Sequence, residues 1–221
     1  MKINSAFLTQ TDLLAVERGD SNYINNKGAS LYGDGLYPDA VEYYRLAAAM
    51  GNVDAVSNLG YCYLYGRSLE PDTTLAIAYF RNAANRGCVD AAYKLGDIYS
   101  RDKWVEKDPE LSVYYYRLAA SLLVRGKWED YNQILWNDEL PQYPSLCFAL
   151  GRELMPGGHM AADIRCAYQF LLRARTGYRD ALANGSDFYR ESYEAVLDLL
   201  ADPIFDEIRA EYDEDDDDPE D

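Results

Sequence analysis

Ala55-Val-Ser-Asn-Leu-Gly-Tyr-Cys-Tyr-Leu-Tyr-Gly66, followed by Ala76-Ile-Ala-Tyr-Phe-Arg-Asn-Ala-Ala-Asn-Arg-Gly87, decides the fold. In the first stretch Ala55, Leu59 and Tyr63 recur at steps of four, the spacing of one face of an α-helix. Gly60 sits beside Leu59, where a side chain would block a neighbouring helix, and Gly66 supplies the left-handed cap that ends the helix. Asp72 is placed to cap a second helix, whose buried stripe reads as Ala76, Tyr79, Phe80, Ala83 and Ala84. Small residues let two helices approach while the aromatic pair fills the space one turn earlier. Gly87 closes the unit.

Worked outward, the stretch repeats every 36 residues. Tyr43, Tyr79 and Tyr115 keep that step, as do Arg45, Arg81 and Arg117, and the alanine pairs at 47–48, 83–84 and 119–120. Leu59-Gly60 returns as Leu95-Gly96, and Asp72 returns as Asp108. A looser unit precedes, with Ala29, Tyr32 and Gly35 in the places of Gly60, Tyr63 and Gly66 and a shorter connection to Asp39. The third unit has Asp102-Lys-Trp104 where a loop glycine is expected, and a degenerate fourth runs from Leu146 to Asp180 around Leu150-Gly151, Ala167, Phe170 and Ala174. Between Gly96 and Gly151 the period breaks by about 19 residues. That insertion, at about 122–142, reads as an extra helix over residues 127–136, with Trp128, Tyr131, Leu135 and Trp136 on one side, stopped by Pro141 and Pro144. The arginine column faces away from the alanine stripe and reads as a solvated back face.

These motifs resemble the Sel1-like repeat family, relatives of the tetratricopeptide repeats. The resemblance rests on Ala-x3-Leu-Gly-x2-Tyr-x2-Gly from Ala55 and Ala-x2-Tyr-Phe-x2-Ala-Ala-x2-Gly from Ala76. It implies an all-α fold, a right-handed solenoid of antiparallel helix pairs with helical caps. The organisation expected is an N-terminal cap over 1–20 with a helix at 7–16, a repeat array over 21–181, capping helices over 182–210, and an acidic tail over 211–221. By analogy with the tetratricopeptide pattern, the concave face lies three residues before and one, four and five after the small residue of each first helix. That selects Asn26, Ser30 and Asp34; Ser57, Tyr61 and Tyr65; Tyr93, Asp97 and Arg101; and Phe148 and Arg152 as partner-binding positions. The resemblance further implies an adaptor or scaffold that holds a peptide or protein in this groove.

Charge and composition bound the function. The chain has 221 residues with 38 acids against 21 bases, a formal net charge of −17, which disfavours nucleic acid and anionic membrane surfaces. Residues 211–221 hold nine of the acids and no base, so the remainder carries −17 + 9 = −8; the run is expected to stay solvated and unfolded. It also motivates an alternative role, an inhibitor or immunity-type protein that neutralises a basic toxin or nuclease. No apolar run approaches a membrane span and no secretory signal is evident, so a cytoplasmic protein is expected. Cys62, Cys88, Cys147 and Cys166 have no metal-ligand spacing, and Cys62 and Cys88 read as small core fillers. The single His159 lies in a Gly-rich loop with no nucleophile in sequence reach, and no phosphate loop or nucleophile elbow occurs. No catalytic residue, cofactor or metal is expected.

Overall fold

A computed structural model describes residues 8–127 and 130–216, with side chains to residue 211. The described residues form α-helices, short 3-10 turns and connections: α1 Gln10–Glu17, α2 Ser21–Gly33, α3 Tyr37–Ala49, α4 Val53–Tyr65, α5 Thr73–Asn85, α6 Val89–Tyr99, α7 Pro109–Leu123, α8 Tyr131–Leu135, α9 Pro144–Glu153, α10 Ile164–Ala183, α11 Arg190–Leu200 and α12 Asp206–Asp216. The all-α class of paired helices read from the repeat is therefore the observed one. Among the described residues no helix is long and apolar enough to cross a membrane. The chain divides into two compact units, residues 1–106 and 107–221, and the division falls inside the third repeat, between α6 and α7.

In the first unit α2 to α6 pack each against the next. Local chemistry starts α4 and α5 where the sequence says, whereas α3 begins at Tyr37 with no side-chain cap and Asp39 lies inside its first turn. Asp72 accepts a hydrogen bond from the Leu75 backbone N–H at 2.8 Å and Asn52 one from Ala55 N–H at 2.8 Å, satisfying amides that the helix leaves unpaired. Gly66 ends α4 at φ 66°, and a side chain there would meet Pro71 Cγ at 2.8 Å. Packing is then set by one contact per pair. A Cβ on Gly60 would stand 2.9 Å from the fully buried Phe80 ring, so the backbone of α4 lies directly on that ring. Ala76, Ala83 and Ala84 flank it, all buried.

The same contact corrects the register of the first repeat. Gly28, not Ala29, lies under an aromatic ring: its Cβ would meet Tyr44 at 2.9 Å, while Ala29 is exposed. Gly28 is therefore the counterpart of Gly60, and the positions assigned from Ala29 are one residue out of step. The shortening against the second repeat lies in the connection. Three residues join α2 to α3, against seven between α4 and α5.

At the front, α1 is held by a capping box in which Thr9 Oγ1 accepts from Asp12 N–H at 3.2 Å and Asp12 Oδ2 accepts from Thr9 N–H at 2.8 Å. The Tyr43 hydroxyl donates to the same Asp12 oxygen at 2.7 Å and so ties α1 to α3. The helix expected over 7–16 thus begins at Gln10, and residues 1–7 lie outside the described residues.

The arginine column is not merely solvated. Arg81 donates to the Tyr99 hydroxyl at 2.9 Å, reaching a tyrosine 18 residues on in the next repeat, and Arg45 pairs with Glu42 on its own helix at 2.7 Å.

In the second unit α9 and α10 form the main pair, with α11 against α10. A Cβ on Gly151 would lie 2.8 Å from Leu171, repeating the glycine-on-side-chain contact with an aliphatic partner. The inserted helix is shorter than expected. Asp130 caps α8 and the helix stops at Leu135; Leu135 is buried and Tyr131 packs edge-on to Phe170 at 6.3 Å. Trp136, expected on the apolar side, is 78% exposed because the helix ends one residue before it; Trp128 lies outside the described residues.

The acidic stretch also differs from its reading as an unfolded tail. Helix α12 continues to Asp216, anchored where Arg165 clasps Glu211 through two bonds of 2.6 and 2.7 Å. Residues 217–221 lie outside the described residues.

All four cysteines are free: Cys62, Cys88 and Cys147 are buried and Cys166 half-buried. Burial pushes the Cys62 thiol up to about 11 and those of Cys88, Cys147 and Cys166 up to about 12.

Candidate functional site

The first helices of successive repeats are tied to one another by polar side chains on one face. Asn58 Nδ2 donates to Asn25 Oδ1 at 3.0 Å and Asn52 Nδ2 to Asn22 Oδ1 at 2.8 Å, joining α4 to α2. One repeat later, Ser57 Oγ donates to Asp90 Oδ2 at 3.4 Å and the Tyr61 hydroxyl to Asp90 Oδ1 at 3.2 Å, joining α4 to α6.

Beyond this ladder the α4–α6 face is aromatic around a cation. Tyr61 and Tyr65, one turn apart, stack at 6.2 Å between centroids, and Trp104 stands edge-on to Tyr65 at 6.0 Å. Lys94 Nζ lies 5.4 Å from the Tyr61 ring, 5.5 Å from Tyr93 and 5.9 Å from Trp104. Its counter-ion is Asp97 at 3.0 Å, which Arg101 also engages. Lys94 and Asp97 are both buried, whereas the Arg101 side chain is 54% exposed.

The charge states follow from this geometry. Burial would raise Asp97, but the charges of Lys94 and Arg101 and their hydrogen bonds outweigh it and hold the carboxyl below its ordinary value. Burial lowers the basicity of Lys94, and Asp97, Tyr65 and Asp90 together outweigh it, so its ammonium is stabilised. For Asp90 burial wins over the Tyr61 hydrogen bond and the Lys94 charge, and its carboxyl is raised. A raised folded value means that Asp90 contributes stability fully below the ordinary carboxylate range, and that this is lost as pH rises through the raised value. Asp90→Asn keeps an oxygen for the Tyr61 hydroxyl and removes the penalised charge. Stability at neutral pH, read from urea unfolding, is expected to stay level or rise; a fall of more than about 1 kcal/mol would show that Tyr61 depends on the charged carboxylate.

The positions selected from sequence divide into groups. Tyr61, Tyr65, Tyr93, Asp97 and Arg101 converge as described, but Asp97 is buried as an internal counter-ion. Ser57 is 2% exposed and serves the ladder. Neither is open to a partner, because inter-helix contacts use their polar atoms. Asn26, Ser30 and Asp34 are exposed on α2 or at its end, and the glycine contact makes Asn25 the counterpart of Ser57. Phe148 and Arg152 belong to the second unit, where Phe148 packs edge-on to Tyr178 at 6.3 Å and the Arg152 guanidinium lies 5.9 Å from the Phe148 ring. Sequence reasoning missed Lys94, Asp90 and Trp104. The signals were a lysine in the middle of an apolar helix and a tryptophan in place of the expected loop glycine.

His159 braces its own loop. Its Nδ1 lies 2.9 Å from Glu153 Oε2, which also accepts the His159 backbone N–H at 3.0 Å. Gly158 permits the closure, since a Cβ there would stand 2.2 Å from the Glu153 carbonyl oxygen. Among the described residues no group of three or more His, Cys, Asp or Glu side chains is placed to hold a metal ion.

Comparison with known proteins adds the following. The Sel1 repeat family matches residues 23–52, 53–88 and 89–122. Among solved structures, a Sel1 repeat protein from Oxalobacter formigenes is 26% identical, the match covering 69% of this chain and 95% of that one with a TM-score of 0.44. The protein c5321, a protective antigen present in uropathogenic Escherichia coli strains and displaying an SLR fold, is 23% identical over 74% of this chain and 41% of its own, also with a TM-score of 0.44. No curated protein gives a significant match.

Proposed function

Residues 23–122 of this chain are three consecutive Sel1 repeats, a class of repeat that generally mediates protein–protein interaction, and from that premise we propose that the chain is a non-enzymatic adaptor whose α4–α6 face receives a protein or peptide partner. The observation that carries the reading is the aromatic cluster of Tyr61, Tyr65, Tyr93 and Trp104 around the buried Lys94–Asp97 pair, with Arg101 at its edge. Tyrosine, tryptophan and arginine are the side chains that concentrate binding energy in protein interfaces. Here the rings are held by one another and by Lys94 before any partner arrives, so little conformational freedom remains to be lost on docking. The neighbouring polar ladder fixes α4 against α6 and keeps the face in shape. The 38% exposed Tyr65 ring, the Arg101 guanidinium and the exposed Lys103, whose ammonium lies 4.5 Å from the Trp104 ring, are open to a partner; Tyr61, Tyr93 and Trp104 stand half-buried beside them.

Affinity capture from the native cell tests the reading. The double variant Tyr65→Ala/Arg101→Ala leaves Lys94 and Asp97 paired, and is expected to lose a captured protein that the unaltered chain retains at raised salt. A chain ending at Tyr212 is expected to keep it. The opposite pattern, with the protein released by salt and by removal of the acidic residues beyond 212 but indifferent to Tyr65 and Arg101, would replace this function with charge neutralisation of a basic partner.

A further inference from the structure

The 19 or so residues that interrupt the repeat period have a structural result in the second unit. They place α8 and the turn after it along α10, leaving a groove of about 630 Å³ between them. Gly177 lets the end of the inserted turn and the start of α9 lie close to α10, since a Cβ there would meet Pro144 at 2.8 Å and the Pro141 carbonyl oxygen at 3.5 Å. On one wall Trp136 stands 78% exposed, an unusual setting for the largest apolar side chain. It is held in place from below. Arg173 donates to the Leu135 carbonyl oxygen through Nε at 3.0 Å and Nη2 at 2.6 Å, and its guanidinium lies 5.8 Å from the Trp136 ring.

The charge of helix α10 runs against that of the chain, while the groove lining itself balances Arg173 and Arg175 against Asp138 and Asp180. Helix α10 carries Arg165, Arg173, Arg175 and Arg179 against Asp180, +4 − 1 = +3, in a protein of net charge −17. Arg165 is occupied by Glu211, and Arg179 stands 3.4 Å from Asp180. No ion pair or side-chain hydrogen bond ties Arg175 among the described residues, and it lines the groove. With Arg179 beside Asp180, the groove and its edge hold three guanidiniums against the carboxylates of Asp138 and Asp180.

We infer that the groove between the inserted segment and α10 is a second docking site, which takes an extended acidic segment of a partner protein, an apolar side chain of that segment covering Trp136 and a carboxylate meeting Arg175. An exposed tryptophan beside a preorganised arginine supplies the anchor, and the unpaired guanidinium supplies the sign selectivity. The site is distinct from the α4–α6 face and shares no residue with it.

The test uses the full chain and three synthetic peptides of equal length that alternate leucine with glutamate, with lysine or with serine, their binding followed by fluorescence anisotropy. The glutamate peptide is expected to bind at least about tenfold more tightly than the other two and to weaken as salt is raised. Trp136→Ala and Arg175→Glu, each checked for an unchanged circular dichroism spectrum, should each reduce that binding at least about tenfold, while Tyr65→Ala should leave it unchanged. Equal binding of the lysine peptide, indifference to both substitutions, or no binding of the glutamate peptide would overturn the assignment. Loss on Tyr65→Ala alone would move the acidic segment to the other face and also overturn it.

Discussion

Replacing Phe80 by alanine should lower the free energy of unfolding by about 3–5 kcal/mol, the range for removing a fully buried aromatic side chain. The ring is 0% exposed, lies beneath the backbone of α4 at Gly60, and meets the edge of Tyr61 at 5.0 Å between centroids. A glycine cannot lean into the space left behind, so the cavity stays open and the lost contacts are not replaced. The change should also loosen Tyr61, so it acts on the aromatic face as well as on stability. Urea unfolding followed by circular dichroism reads the effect as a lower midpoint with the slope preserved. A loss below about 1 kcal/mol would mean that the helices close over the gap and that the ring is a filler and not the spacer of the pair.

Asp97→Ala should cost a comparable amount, about 3–5 kcal/mol at neutral pH, because it leaves the Lys94 ammonium buried among three rings without its counter-ion. The sign with pH follows from the lowered carboxyl. A depressed folded value gives stability that is present above the ordinary carboxylate range of about 4 and is lost as pH falls through the lowered value. The difference between the variant and the unaltered chain should therefore shrink in acid. Replacing both members, as Lys94→Met with Asp97→Leu, should recover most or all of the loss, since two matched apolar side chains carry no desolvation penalty. A double variant as unstable as Asp97→Ala would show that the pair is needed for its charge.

The repeat was legible in the sequence because its defining contacts are made by particular side chains at fixed steps. A glycine must lie where the next helix presents a ring, and Gly60 with Phe80 announces this in the bare sequence. The first repeat was read one residue out because Gly28 and Ala29 are both small, and the four residues missing from its connection hide which of them faces Tyr44. The aromatic face was half legible. Helical spacing put Tyr61 and Tyr65 together and Tyr93, Asp97 and Arg101 together, but no periodicity reports that Trp104 returns from an irregular loop to Tyr65. Spacing alone also could not tell that Asp97 turns inward to Lys94, for an acid on the groove side of a helix has the same period whether it faces water or an ammonium. At the C-terminal end, composition argued against any order in the acidic run. Helix α12 nonetheless runs to Asp216, and where it enters the run Arg165, 46 residues earlier, clasps Glu211, a contact that no local window contains.

The burial of the sulfurs has a practical corollary for anyone who wishes to watch this protein at work. With three thiols out of solvent and all four held far from the thiolate state at neutral pH, maleimide chemistry should pass them by. A single cysteine placed at an open position such as Ser30 or Asn184 can then carry a dye or spin label, with the native residues left as they are.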